Sequence, residues 1–369
     1  MKREVSQRPF FSIVVPCCNV ARYLDEMAAS VKAQPFADWE CILSYEDSTD
    51  GTLAACEALV KSDPRFRLVI CGPRSGSPAT PRNRAFEVAR GEYVVYLDGD
   101  DFLAKDALAR VAKAIADAGE PCDMIQVGTT EFLEDEQGRR TRGVRRFNFS
   151  SDEDGRVFSG EDVLSRLEAV DYFWPMAPIA VCRTSFLRAH DLRFRDGQKY
   201  EDEEWIPRVL AFARRILVLD CDLFLYRRRA GSVTMNANTS DRGRQYAEVV
   251  RSHILFFAAQ KLPPDVEKAV ARYYLRRFTE FYWLPERDPM RTVSASERTH
   301  CLRRILEKGG RAALWKMASH ASLAKRIGAV LLLVAGIHPI LDFPANIYFG
   351  LYYRLVLRRI RRRGNGDRS

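Results

Sequence analysis

The chain of 369 residues carries 58 Lys and Arg against 49 Asp and Glu, a formal net charge of +9. Its 47% hydrophobic and 29% charged residues exclude a disordered or collagen-like chain, and its length implies more than one domain. The charge is uneven: Arg354 to Arg368 holds seven Arg and one Asp, so +6 of the excess lies in the last 16 residues. The remaining body is nearly balanced, which argues against a nucleic-acid partner.

The nine cysteines are odd in number and form no Cys-x-x-Cys pair. Several sit in apolar runs, such as Trp39-Glu40-Cys41-Ile42-Leu43 and Leu68-Val69-Ile70-Cys71. Buried, reduced thiols of a cytosolic protein are expected, and no zinc-ligand spacing occurs. Met1 to Phe10 is charged and lacks a long apolar stretch, so no secretory signal is expected.

From Phe11 to Val127, short apolar runs alternate with helical periodicity. Ser12 to Pro16, Cys41 to Leu43, Arg67 to Ile70, Tyr93 to Leu97 and Met124 to Val127 read as strands. Val20 to Ala33, Thr52 to Lys61, Ala79 to Arg90 and Ala104 to Ala118 read as helices; the first spaces Tyr23, Leu24, Met27, Ala28 and Val31 along one face. This alternation predicts right-handed βαβ units and a parallel sheet. Glu131 to Gly160 is polar and reads as an exposed hairpin or loop insertion, with a basic run Arg139-Arg140-Thr141-Arg142. Val163 to Tyr226 returns to mixed structure. Ser240 to Leu323 reads as mostly helical, broken at Pro263-Pro264 and Pro285.

Three acidic clusters follow in order. Glu46-Asp47-Ser48-Thr49-Asp50-Gly51-Thr52 joins the second strand to a helix, and reads either as a helix cap or as part of a site. Asp98-Gly99-Asp100-Asp101 follows the fourth strand directly. Three carboxylates in four residues repel one another. A divalent cation shared with a phosphate would offset that cost, and hard oxygen ligands favour Mg²⁺ or Mn²⁺ over zinc; a solvated capping loop is the alternative. Glu201-Asp202-Glu203-Glu204 could supply a general base, or could simply favour a helix N-terminus. Pro81-Arg82-Asn83-Arg84 opens a helix and suits contact with phosphate. Arg227-Arg228-Arg229 reads as a diphosphate clamp or as a solvated surface.

In this order, the clusters resemble family-two glycosyltransferases of the GT-A fold, of the bacterial polysaccharide-biosynthesis type. The resemblance rests on Val15-Pro16-Cys17-Cys18-Asn19, the Glu46 to Thr52 loop, Pro81-Arg82-Asn83, Asp98-Gly99-Asp100-Asp101 and Glu201-Asp202, and it spans Phe11 to Ser232. It departs from the family pattern at Cys18, at Pro81 and in the first acidic loop, which lacks a Gly after its acidic pair. It implies an α/β fold: a Rossmann-like, mainly parallel sheet flanked by helices and followed by a helical C-terminal region. It implies that Pro16, Asn19 and Asp47 border the nucleoside of a sugar-nucleotide donor, that Arg82 touches the nucleotide or its phosphate, and that Asp98 binds ribose or metal. It implies Asp100 as a ligand of Mn²⁺ or Mg²⁺ and Asp202 as catalytic base in an inverting reaction. A catalytically degenerate nucleotide- or glycan-binding protein and a sugar nucleotidyltransferase are the alternatives. The second lacks its N-terminal Gly-rich loop, and no Gly-Lys-[Ser/Thr] phosphate loop occurs.

Ile327 to Leu341 is free of Lys, Arg, Asp and Glu, but a spanning helix needs about 20 apolar residues, and His338-Pro339, Asp342 and Pro344 interrupt this one. Ile347 to Ile360 sets Tyr348, Phe349, Tyr352 and Tyr353 beside the Arg cluster, the pattern of an interfacial helix on an anionic leaflet. Packing of both stretches on the catalytic domain is the alternative. The expected organisation is a catalytic domain over residues 10–235, a helical region over 236–325, a membrane-associating segment over 326–363 and a tail over 364–369. The expected function is transfer of a sugar from a nucleoside-diphosphate donor, UDP-linked, to a glycan or polyprenyl-linked acceptor. The expected location is cytoplasmic, peripheral on the inner face of the plasma membrane.

Overall fold

The computed structural model describes residues 8–135, 137–166, 175–228, 239–270, 273, 305–306 and 309–319. The chain divides into two compact units, Met1–Val163 with Tyr172–Asn236, and Leu164–Asp171 with Ala237–Ser369.

The first unit is built on a ten-stranded mixed sheet. Strands β1 (Phe11–Cys17), β2 (Trp39–Glu46), β3 (Phe66–Gly72) and β4 (Tyr93–Tyr96) alternate with helices α1 (Ala21–Lys32), α2 (Thr52–Ser62) and α3 (Ala79–Val88). β1 pairs in parallel with both β2 and β4, and β2 with β3. The chain therefore winds outward from β1 to β3 and then returns to β1's other side. That reversal opens a crevice beyond the carboxyl ends of β1 and β4, where α/β sheets bind ligands. Residues on both faces of β1 are buried, which explains its near-continuous apolar run. α1 buries Leu24, Met27, Ala28 and Val31, a single stripe at helical spacing.

Beyond β4 the chain forms β5 (Phe102–Leu103), α4 (Ala107–Asp117), β6 (Met124–Glu134), β7 (Arg140–Arg146), β8 (Val157–Phe158) and α5 (Gly160–Arg166). It continues with β9 (Ala180–Arg183), α6 (Thr184–Ala189), α7 (Glu201–Phe212) and β10 (Ile216–Arg228). β9 runs antiparallel between β4 and β6, while β10 is parallel to β6. The predicted Ala104 helix starts three residues late, because Phe102–Leu103 is captured as an antiparallel partner of β10 and Asp106 takes a left-handed turn at φ 58°. The predicted strand Met124 to Val127 extends to Glu134 because β7 pairs with it, making the polar insertion a hairpin. The core between sheet and helices includes Ile13, Val15, Leu24, Val31, Leu43, Val95 and Leu223.

In the second unit, helix Thr239–Ala259 packs against helix Gly310–Ser319, where Lys316 Nζ donates to Ala258 O at 2.8 Å. No helix among the described residues is long and apolar enough to cross a membrane. The expected membrane-associating segment and tail lie outside the described residues, as does most of the region from Ser240 to Leu323 beyond residue 273.

Candidate active site

The crevice is built from loops that follow β1, β2 and β4. The β2–α2 loop caps its neighbour rather than only its own helix. Asp50 Oδ1 accepts from Thr52 N at 3.0 Å, and Asp50 Oδ2 accepts from Ala21 N at 3.1 Å. Thr52 Oγ1 accepts from Val20 N at 3.0 Å, and Ser48 Oγ from Asn19 N at 3.1 Å. The capping reading thus holds for Asp50, which accepts from the first N–H of both α1 and α2, while Ser48 and Thr52 hold the Asn19–Val20 turn that precedes α1. Asn19 adopts φ 53° and its Oδ1 accepts from Thr49 N at 2.8 Å. Asn19 therefore locks the β1 and β2 loops together at the crevice rim. Asp47 is exposed there, and Pro16 lies partly buried at the end of β1.

The Asp98 to Asp101 turn packs directly on β1. A Cβ on Gly99 would lie 3.0 Å from Pro16 O, so a larger residue here would push the turn back from β1 by a few tenths of an ångström. Asp98 and Asp100 are half-buried at the crevice, whereas Asp101 is buried. Asp101 Oδ1 accepts from Arg227 N at 2.7 Å, and its Oδ2 is buried without a partner among the described residues. Burial, then the neighbouring Asp100 and Asp98 charges, hold the Asp101 carboxyl well above the usual carboxylate range. Among the described residues no three His, Cys, Asp or Glu side chains form a closed metal cage. Asp98 and Asp100 offer hard oxygens on one open turn, a donor set that fits a cation completing its shell with phosphate and water.

Arg82 connects this turn to α7. Its Nη2 donates to Asp98 Oδ1 and its Nη1 to Glu201 Oε1, both at 2.6 Å. Arg82 is 2% exposed and lies over the Phe194 ring at 5.4 Å. Both of its Nη groups, which the motif resemblance places at the donor, hold carboxylates of the protein. Burial pushes the guanidinium down, but Asp98, Glu201 and Asp202 together hold it above its ordinary value. Asn83 likewise serves the scaffold: its Nδ2 donates to Phe194 O at 2.8 Å and its Oδ1 accepts from Phe194 N at 3.0 Å. Trp205 stacks on Phe194 with centroids 4.5 Å apart, and its Nε1 donates to Leu192 O at 2.9 Å. These contacts seat the first turn of α7, which carries Glu201 and Asp202, beside the β4 turn.

Glu201 is buried and Asp202 half-buried. Burial, reinforced by Glu201, holds the Asp202 carboxyl well above the usual carboxylate range, with Arg82 acting against it. Burial also raises Glu201, again opposed by Arg82. Two adjacent carboxylates beside one buried arginine, both with raised pKa, are an arrangement able to accept a proton. Glu201 has no role of its own in the sequence reading, because nothing local indicates that its partner lies 119 positions away. The Arg227 side chain is 1% exposed and enclosed by carboxylates, so it is neither a diphosphate clamp nor a solvated surface. Arg229 lies outside the described residues.

Residues 12–166 match the family Glycosyl transferase family 2. The match covers less than half of the chain and marks the protein as a glycosyltransferase. The glycosyltransferase is 24% identical to glycosyltransferase GlyG of Streptococcus pneumoniae over 246 residues, covering 66% of this chain and 79% of GlyG. It is 26% identical to the poly(ribitol-phosphate) beta-N-acetylglucosaminyltransferase TarS of Staphylococcus aureus over 272 residues, covering 73% of this chain but 43% of TarS. The crystal structure of S. aureus TarS 1–349 in complex with UDP-GlcNAc superposes with a TM-score of 0.70 at 20% identity, over 93% of this chain and 91% of that one. The GT-A fold implied by the motif order is the fold of this glycosyltransferase.

Proposed function

We propose that this glycosyltransferase moves a sugar, with inversion, from a UDP-sugar to a hydroxyl of a glycan or lipid-linked glycan. The observation that carries the reading is the Arg82 bridge. It holds Asp98, at the end of β4, and Glu201, beside Asp202, on one buried guanidinium. A donor-side carboxylate turn and a proton acceptor thereby face one crevice. The UDP-GlcNAc bound by TarS supports UDP as the nucleotide.

In this reading Pro16, Asn19 and Asp47 border the nucleoside. Asp98 and Asp100 would hold Mg²⁺ or Mn²⁺, which when bound neutralises charge on the diphosphate. Asp202 takes the proton of the acceptor hydroxyl as its oxygen attacks the anomeric carbon from the face opposite the diphosphate. The bond from that carbon to the diphosphate oxygen breaks, and UDP leaves. A raised carboxyl pKa makes Asp202 a stronger proton acceptor once it is deprotonated. We propose further that residues 326–363, with aromatics beside Arg, associate with an anionic membrane surface, the inner face of the plasma membrane, where a lipid-linked acceptor resides.

Asp202→Asn tests the assignment. Transfer is expected to fall by about 10² to 10⁴. UDP affinity, measured by calorimetry with Mn²⁺, is expected to stay near that of the wild type. Near-wild-type turnover by this variant would remove Asp202 from the mechanism. Silence of the wild type towards UDP and other nucleotides would favour a binding protein that kept the fold.

A further inference from the structure

Arg227 lies at the end of β10, in register with Phe132 of β6. Every arm of its guanidinium is used. Nε donates to the Asp100 carbonyl at 2.6 Å, Nη2 to Glu26 Oε2 at 2.6 Å, and Nη1 to Glu134 Oε2. The rings of Tyr23 and Phe132 lie 4.8 and 5.1 Å from its central carbon. Arg140 binds the same two carboxylates: Glu26 at 2.8 and 2.7 Å, and Glu134 at 2.8 Å. Two guanidiniums and two carboxylates thus form a charge-balanced ring among α1, β6, β7 and β10.

A buried arginine pays a desolvation cost that such a ring offsets. The ring alone does not explain the remaining two contacts. Arg227 N–H binds Asp101 Oδ1 and Arg227 Nε binds the carbonyl of Asp100, so one residue holds the Asp100 carbonyl and the Asp101 side chain. The carbonyl of the Asp100–Asp101 peptide is therefore held from β10, while its N–H donates to Asp98 O at 3.0 Å within the turn.

We propose that Arg227 is a positioning residue for the donor site: it holds the Asp98–Asp101 turn in the shape that presents Asp98 and Asp100 to the donor diphosphate and its cation. The proposal rests on the reading of that turn as the donor site. Lysine cannot replace it, because one ammonium cannot reach the Asp100 carbonyl and two separate glutamates in a planar fork.

The test compares wild type, Arg227→Lys and Glu134→Gln as full chains. Amide hydrogen exchange is followed across residues 98–101, and UDP is titrated by calorimetry with and without Mn²⁺. In Arg227→Lys, exchange at the turn is expected to speed by about tenfold or more, and Mn²⁺-dependent UDP affinity to fall by a similar factor, on the scale of a lost charge-assisted hydrogen bond. At saturating donor, kcat is expected to fall much less than kcat/KM for the donor. Glu134→Gln keeps the Asp100 contact, so its turn and its UDP affinity are expected to change less. Unchanged exchange and affinity in Arg227→Lys would overturn the proposal. So would equal losses in both variants with faster exchange throughout the sheet, which would make Arg227 a folding residue only. If the wild type itself fails to bind UDP, the donor-site reading falls, and the proposal with it. If the wild type binds and only the exchange and affinity are unmoved, the positioning role alone falls.

Discussion

Arg82 Nη1 lies 2.6 Å from Glu201 Oε1, and the two residues are 119 positions apart in the chain. Arg82 also holds Asp98, so removing it leaves two carboxylates facing one another without a cation. Breaking a buried pair in this way costs about 3–5 kcal/mol. Arg82→Met is expected to approach that loss in urea unfolding. Arg82→Lys is expected to fall between it and the wild type, since one ammonium keeps the charge but not both contacts. Equal stability of all three would show that the bridge contributes nothing net.

Asp202 gives a pH dependence with a definite sign. A base must be deprotonated to work, and burial together with Glu201 raises its pKa. Activity is therefore expected to fall with decreasing pH well before the ordinary Asp value of about 3.9 is reached. The acid limb of the kcat/KM profile reads this directly. A limb at the ordinary value would mean that the titrating base is another group.

Two glycines are expected to respond differently to alanine. At Gly99 the new Cβ would sit 3.0 Å from Pro16 O, a small overlap that the turn relieves by shifting. Gly99→Ala is expected to cost about 1–3 kcal/mol and to weaken UDP binding, as seen by calorimetry. At Gly91 the Cβ would sit 2.4 Å from Ser12 N and 2.7 Å from Phe11 C, in the backbone of β1. Gly91→Ala is expected to lower the melting temperature far more. A larger melting shift for Gly99→Ala would contradict this ranking.

Glu40 links acid sensitivity to the sheet. Its Oε1 accepts from Ser12 Oγ and from Arg90 N, both at 2.7 Å, and its Oε2 from Arg67 Nη1 at 2.8 Å. Burial pushes its pKa up, but these donors outweigh burial and hold it below the usual value. A lowered folded pKa stabilises above the unfolded pKa of about 4.3 and is lost as pH falls through the folded value. Glu40→Gln is expected to cost about 1–3 kcal/mol at pH 7, because charge-assisted bonds to Arg67 and Arg90 are lost while both arginines stay partly solvated. The gap to the wild type is expected to narrow in acid, checked by urea unfolding at both pH values. A gap independent of pH would assign the loss to packing instead of charge.

The sequence by itself determined the βαβ order, the parallel strands and the positions of the acidic turns. Those features are local: β1 is apolar on consecutive positions because both faces are buried, and α1 shows its buried stripe at a fixed spacing. The motif order also carried the family, since each motif is read over a few adjacent residues. Tertiary structure alone decided what the charged residues do. Arg82, Asn83 and Arg227 each look suited to a phosphate, yet each is spent on the protein's own carbonyls and carboxylates. Glu26 and Glu134 carry no local signal, and nothing near Glu201 indicates its partner Arg82, because a charge pairs with whatever the fold brings within a few ångströms. The extension of β6 and the loss of the first turn of α4 have the same origin: β7 and β10 supply hydrogen-bonding partners that lie far off in the chain.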